Sequence, residues 1–144
     1  MSNVSFVPAE YVVEMWPKVR GYIRSATERT NGRYEPEDVL YEILDGKLLL
    51  WAAIDGADVM GVATTRFMEY PRKKTLMVPF LAGEDFKEWG EDMLSVLKKW
   101  AAENECDTLE ASGRPGWAKV FGNEGYKRLW DWCEVPVNPA TDGE

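Results

Sequence analysis

The sequence contains no histidine. That absence removes imidazole general-base catalysis and the commonest metal ligand from the chemistry open to the chain. Only two cysteines are present, Cys106 and Cys133, and they stand far apart in the chain. Their separation is not a metal-ligand spacing, so they read as reduced thiols, with a disulfide left open but unsupported. Neither has an imidazole that would activate a thiolate nucleophile. No apolar run approaches the roughly 20 residues that span a bilayer. No basic segment followed by an apolar run opens the chain, so no secretory leader is expected. Bases are in the minority, 17 against 25 acids for a net charge of −8, which weighs against non-specific nucleic-acid binding. Internal repeats, low-complexity tracts and linkers are also missing. The expectation is a soluble protein that is not secreted, binds no metal and contacts neither membrane nor nucleic acid.

What is present suits one domain with a real core: 144 residues, of which 45% are hydrophobic. Seven tryptophans are many for this length. Most are expected in the core, and any that remain exposed are natural interface anchors.

Along the chain, Val4–Val7 reads as a short strand. Val12, Trp16, Val19, Ile23 and Ala26 then recur at helical spacing. Pro17 falls within that helix and is expected to restart or kink it. Asn31-Gly32 marks a turn. Pro36 opens a second helix with Val39, Leu40, Ile43 and Leu44 on one face. Lys47–Ile54 (KLLLWAAI) is a continuous apolar run between two Asp-Gly pairs, the pattern of a strand buried on both faces. Strands are expected next over Asp58–Tyr70 and Lys74–Leu81, with Pro71–Lys73 as the turn between them. A long helix over Glu84–Glu105 carries Phe86, Trp89, Met93, Val96, Leu97, Trp100 and Ala101 on one stripe. A strand over Thr108–Ser112, a short helix over Pro115–Asn123 and a final strand or hairpin over Tyr126–Val137 complete the reading. The order β-α-α-β-β-β-α-β-α-β is that of a single α/β domain over residues 1–137. It implies a mixed, mostly antiparallel sheet with helices on both faces. Residues 138–144 read as a polar, flexible tail.

That order and length resemble the GNAT (GCN5-related N-acetyltransferase) fold over about residues 4–137. Several segments, taken in order, resemble more narrowly the small GNAT-like proteins of tailed bacteriophages, including the internal virion protein type of T7-like podoviruses. They are Trp16-Pro17, Gly32-Arg33-Tyr34, Tyr70-Pro71-Arg72, Leu81-Ala82-Gly83-Glu84-Asp85 running on to Trp89, Cys106-Asp107, and Gly113-Arg114-Pro115-Gly116-Trp117. The resemblance implies a setting in the host cytoplasm or a phage particle.

In active GNAT enzymes the loop into the long helix reads Gln/Arg-x-x-Gly-x-Gly/Ala. Its glycines let backbone N–H groups at the helix N-terminus approach the pyrophosphate of acetyl-CoA. Aligning Met93-Leu94 with the apolar pair that follows the motif places it on Asp85-Phe86-Lys87-Glu88-Trp89-Gly90. Gly90 alone fits. Asp85 stands for Gln/Arg, Glu88 for the first Gly, and Glu84 adds a third acid. Carboxylates there suit the helix dipole, so the acids also read simply as those of a well-capped helix, but they repel a pyrophosphate. Phe86 and Trp89 are bulky for a close backbone approach. The resemblance also implies a proton-donating Tyr before Gly125-Tyr126. Phe121 falls on that position, or Gly122 in the alternative register, and neither donates a proton. Glu42, Glu69 and Glu110 stay open as general bases.

Arg114 and Trp117 lie just past a strand end, where open α/β sheets bind ligands. Such a pair can grip an anion or stack on a ring. The alternative is that Arg114 pairs with Asp85 or Glu88 while Trp117 packs on the sheet. Arg72-Lys73-Lys74 is the one dense basic run, a hairpin tip or a partner contact. The candidate contact residues are therefore Arg114, Trp117, Asp85, Trp89 and Arg72, and the degenerate cofactor loop is Asp85, Glu88 and Gly90. The expectation is a non-catalytic, virion-associated or assembly protein that contacts another protein, such as a phage structural protein, and uses no cofactor. A homo-oligomer is left open. The alternatives are an N-acetyltransferase using acetyl-CoA through an atypical loop, and a small-ligand binder at the Arg114/Trp117 corner.

Overall fold

The apolar run after Asp45-Gly46 settles the architecture, because a strand buried on both faces needs a helical layer on each side. A computed structural model describes residues 3–112, 125–130 and 132–138 and contains that arrangement. The elements are β1 (Asn3–Val7), α1 (Ala9–Thr27), α2 (Pro36–Leu44), β2 (Leu49–Asp55), β3 (Asp58–Tyr70), β4 (Lys73–Gly83), α3 (Phe86–Glu103) and β5 (Thr108–Ala111). They form one five-stranded sheet in the order β1-β2-β3-β4-β5. The first four strands pair antiparallel. β5 joins β4 in parallel, which requires a crossover, and α3 supplies it.

Along β2 the side chains alternate between two cores. Leu50 and Ala52 pack with Val12, Val19 and Ile23 of α1 and Val39 and Ile43 of α2. Trp51 and Ala53 pack on the opposite face with Trp89, Met93, Leu97 and Ala101 of α3. A bulge in β4 changes which face its side chains serve. Thr64 pairs with Phe80 and Arg66 with Met77, so Val78 and Pro79 both stand opposite Thr65. Val78 belongs to the α3 core and Phe80 to the α1/α2 core. Without the extra residue, strand alternation would have put them on one face. Pro79 is tolerated at the bulge because the ladder needs no N–H from it there. The pairing of β4 with β5 ends at the same point, Val78 with Ala111, and among the described residues β4 runs on without a partner on that side to Gly83.

Two expectations change. α1 is one helix through Pro17. The carbonyl that Pro17 leaves without a donor belongs to Val13, an exposed residue whose backbone water can reach. The final strand or hairpin is absent from residues 125–130 and 132–138, which carry no helix or strand. Pro136 brings no N–H to a ladder, and the neighbouring sheet edge, β5, is four residues long. The short helix expected over Pro115–Asn123 lies outside the described residues. The tryptophans divide: Trp51 and Trp89 are buried, Trp16 and Trp100 half-buried, Trp130 and Trp132 exposed. Trp117 lies outside the described residues. No helix among the described residues is long and apolar enough to cross a membrane.

Two adjacent threonines give opposite expectations. Trp51 Nε1 donates to the buried Thr65 Oγ1 at 2.9 Å. Thr65→Val strands that N–H and is expected to cost about 1–3 kcal/mol. Thr64 Oγ1 is buried with no hydrogen-bond partner among the described residues. Thr64→Val is therefore expected to be neutral or stabilising. Urea denaturation of both variants checks the pair.

Candidate functional site

The loop joining β4 to α3 is two residues long, Glu84 and Asp85, and one side chain fixes its path. Trp89, one turn into α3, is fully buried. Its Nε1 donates to the Glu84 carbonyl at 2.7 Å, and its six-membered ring lies against Gly61 of β3 and Gly83 of β4. These glycines pair with each other across the sheet. A Cβ on Gly61 would run into the indole, and one on Gly83 would come within 2.5 Å of both the indole and Met60 O. The Glu84 N–H donates to that same Met60 O at 2.8 Å, which ties the loop to β3.

Asp85 takes a left-handed backbone conformation, φ 50° and ψ 49°, and makes no side-chain cap. Asp tolerates this region better than most residues. The capping expected of these acids is therefore not made by the Asp85 carboxylate. Instead the Asp85 carbonyl accepts the Glu88 N–H at 2.8 Å. The side chains of Glu84, Asp85 and Glu88 are exposed together on this turn. Phe86, the first residue of α3, is half-buried. Its ring meets Trp89 edge-on at 4.8 Å and covers Gly90, where an added Cβ would stand 2.8 Å from it. Of the candidate residues, Asp85, Glu88, Trp89 and Gly90 thus come together.

Beside the loop, on the α1 flank, lies an open cleft lined by Lys18, Tyr22, Asp55, Asp58, Met60 and Glu84. Tyr22 OH donates to Val59 O at 2.9 Å, and Lys18 Nζ donates to Ala57 O at 3.2 Å. Burial raises the Tyr22 pKa above its ordinary value, and the charges of Glu84, Asp58 and Asp85 raise it further. Nothing in the sequence marks this tyrosine, because helical spacing does not say which loops pack against a helix.

Arg72 is not part of this cluster. It sits in the two-residue turn between Tyr70 and Lys73, at the other end of β4 from Asp85. The strand between them is about 33 Å long at ~3.3 Å per residue. Within the basic run, Lys74 is structural: Nζ donates to Asn104 O at 2.8 Å and lies 4.8 Å from the centre of the Phe67 ring. Of the three open general bases, Glu110 is held best. Its Oε2 accepts from Tyr70 OH at 3.1 Å and from Thr75 Oγ1 at 3.0 Å. Burial pushes the Cys106 thiol up, with the Lys74 charge opposing. Arg114, Trp117, Phe121 and Gly122 lie outside the described residues. No group of three or more metal-ligating side chains occurs among the described residues.

Two expectations follow. Gly61→Ala and Gly83→Ala should each destabilise the protein by about 1–3 kcal/mol through overpacking. Gly83→Ala should be the worse, because backbone as well as the indole stands in its way. Equilibrium unfolding checks both. Because the Tyr22 pKa is raised in the folded state, the contribution of this residue is full below pH ~10 and is lost as pH rises through the folded value. Stability should therefore fall in alkaline solution, and Tyr22→Phe should flatten part of that fall in denaturation midpoints measured against pH.

No family model and no curated protein sequence matches the chain. Solved structures do. One is a predicted acetyltransferase with acetyl-CoA from Clostridium acetobutylicum, 14% identical, with a TM-score of 0.67 over 95% of this chain and 97% of that one. A GCN5-related N-acetyltransferase from Ralstonia eutropha is 11% identical, with a TM-score of 0.71 over 96% and 100% of the two chains. An aminoglycoside acetyltransferase from an uncultured soil metagenomic sample, in complex with sisomicin, is 10% identical, with a TM-score of 0.69 over 95% and 97%. At such identities the likeness is one of fold. The chain has the fold of the GCN5-related N-acetyltransferases.

Proposed function

We propose that the chain is a non-catalytic domain on an acetyltransferase fold, serving as an interaction protein in a phage particle or its assembly. The observation that carries this reading is the β4–α3 loop. The fold implies acetyl-CoA, and the residues present do not fit its pyrophosphate. Three exposed carboxylates, Glu84, Asp85 and Glu88, stand where two phosphate charges would have to settle. The N–H groups of Glu84 and Glu88 are already donated to Met60 O and Asp85 O. The clearance that Gly61, Gly83 and Gly90 create is taken up by Trp89 and Phe86. An anion here meets the repulsion of three carboxylates, the reverse of the charge a helix N-terminus ordinarily favours, and two of the loop's N–H groups are already engaged.

The phage setting rests on the ordered set of sequence segments from Trp16-Pro17 to Trp117. The expected partner is another protein, since exposed tryptophans such as Trp130 and Trp132 are the kind of side chain that anchors interfaces. A second reading, an N-acetyltransferase with an atypical cofactor loop, draws on the fold and on Glu110, whose carboxylate is fixed by Tyr70 and Thr75.

Calorimetric titration with acetyl-CoA separates the two readings. No heat at millimolar cofactor is expected, and one-to-one binding at micromolar concentration would overturn the proposal. Mass spectrometry of purified particles of the encoding phage tests the setting. The chain is expected among the particle proteins, and its confinement to the lysate would remove the virion role.

A further inference from the structure

We infer that Phe86, more than the three carboxylates, closes this end of the fold: its ring is the built-in occupant of an apolar groove between α3 and the β4–β5 pair. The inference rests on the reading above and deepens it by naming which feature excludes a ligand.

The groove is a consequence of the sheet. Among the described residues β5 follows β4 to Val78 and Ala111, and residues of α3 line the space beside that point. The walls there are Val78, Leu81, Met93, Leu97 and Leu109, with Phe86 and Gly90 forming the α3 end, and almost no polar surface. This groove starts at the first turn of α3, so a ligand anchored at that turn would extend into it. The first side chain of a helix commonly points to solvent. The Phe86 ring instead turns back over its own helix, edge-on to Trp89 and over Gly90. Glycine inside a helix is disfavoured, and at position 90 it admits a ring that any Cβ would displace. A void of about 10 Å3 is left, at the threshold for a single water.

Range decides between the two obstacles. The carboxylates are exposed, so their repulsion is screened over about 8–10 Å at ordinary ionic strength. They weaken the anionic end of a ligand and leave the affinity of its neutral part untouched. A filled groove excludes the neutral part at any ionic strength, because two groups cannot share one volume.

A four-protein titration with coenzyme A tests this: wild type, Asp85→Asn/Glu88→Gln, Phe86→Ala, and the three substitutions combined. Circular dichroism melts confirm folding, and Phe86→Leu replaces Phe86→Ala if the latter does not fold. The charge variant, with Phe86 in place, is expected to stay silent. The combined variant is expected to bind at least about tenfold more tightly than the charge variant. Binding by the charge variant alone, with wild type silent, would overturn the inference and spare the proposed function. A folded combined variant that stays silent would also overturn it. Binding by wild type would instead sink the proposed function.

Discussion

The contact on which this end of the molecule depends is the Trp89 indole wedged against Gly61 and Gly83. It does three things at once. It presses the first turn of α3 onto β3 and β4 at the place where two glycines pair across the sheet. It satisfies its own buried N–H on the Glu84 carbonyl, so the two-residue loop has one path available. It also gives Phe86 a surface to pack on. A polar handle on a large apolar body is what Trp offers and Phe or Leu does not. The indole and the Phe86 ring take up the room at Gly61, Gly83 and Gly90, while the side chains of Glu84, Asp85 and Glu88 stay exposed.

The β4 bulge supplies the other half of the geometry. By spending two residues, Val78 and Pro79, against Thr65, it sends Phe80 to the α1/α2 core while Val78 stays with α3. The strand leaves β5 at the same point. The end of the β4–β5 pairing is therefore built into the backbone register, and side chains must fill the space beyond it. Here apolar side chains and one aromatic ring do so. The acidic cluster is a surface feature laid over that filling.

Much of the fold was legible in the sequence, for physical reasons. The run KLLLWAAI between Asp-Gly pairs reads as a doubly buried strand, β2 begins within it at Leu49, and Leu50/Ala52 against Trp51/Ala53 shows why these positions are apolar. The stripe from Phe86 to Ala101 marked α3 correctly. Pro17 does not restart the helix, because the cost of a missing N–H depends on whether the orphaned carbonyl reaches water, which spacing does not reveal. Tyr126–Val137 reads in the sequence as a final strand or hairpin, but a strand needs an edge of matching length, and β5 is short. At the site, the acids of the loop were legible as departures from a motif. The role of Trp89 was not, since its partners Gly61 and Gly83 are set by pairing across the sheet, and the Glu84 carbonyl by the loop's path. The approach of Tyr22 to Glu84, Asp58 and Asp85 was invisible for the same reason.

The central claim is that the space beneath the exposed β4–α3 turn is filled by Trp89 and Phe86 and is not a ligand cradle. Nitrogen-15 NMR reads this turn directly through the amides of residues 84–90 and the Trp89 indole N–H. The account predicts an indole N–H protected from solvent exchange, and amide resonances that stay in place as millimolar acetyl-CoA is added. A rapidly exchanging indole N–H, with saturable shifts confined to residues 84–90, would contradict it.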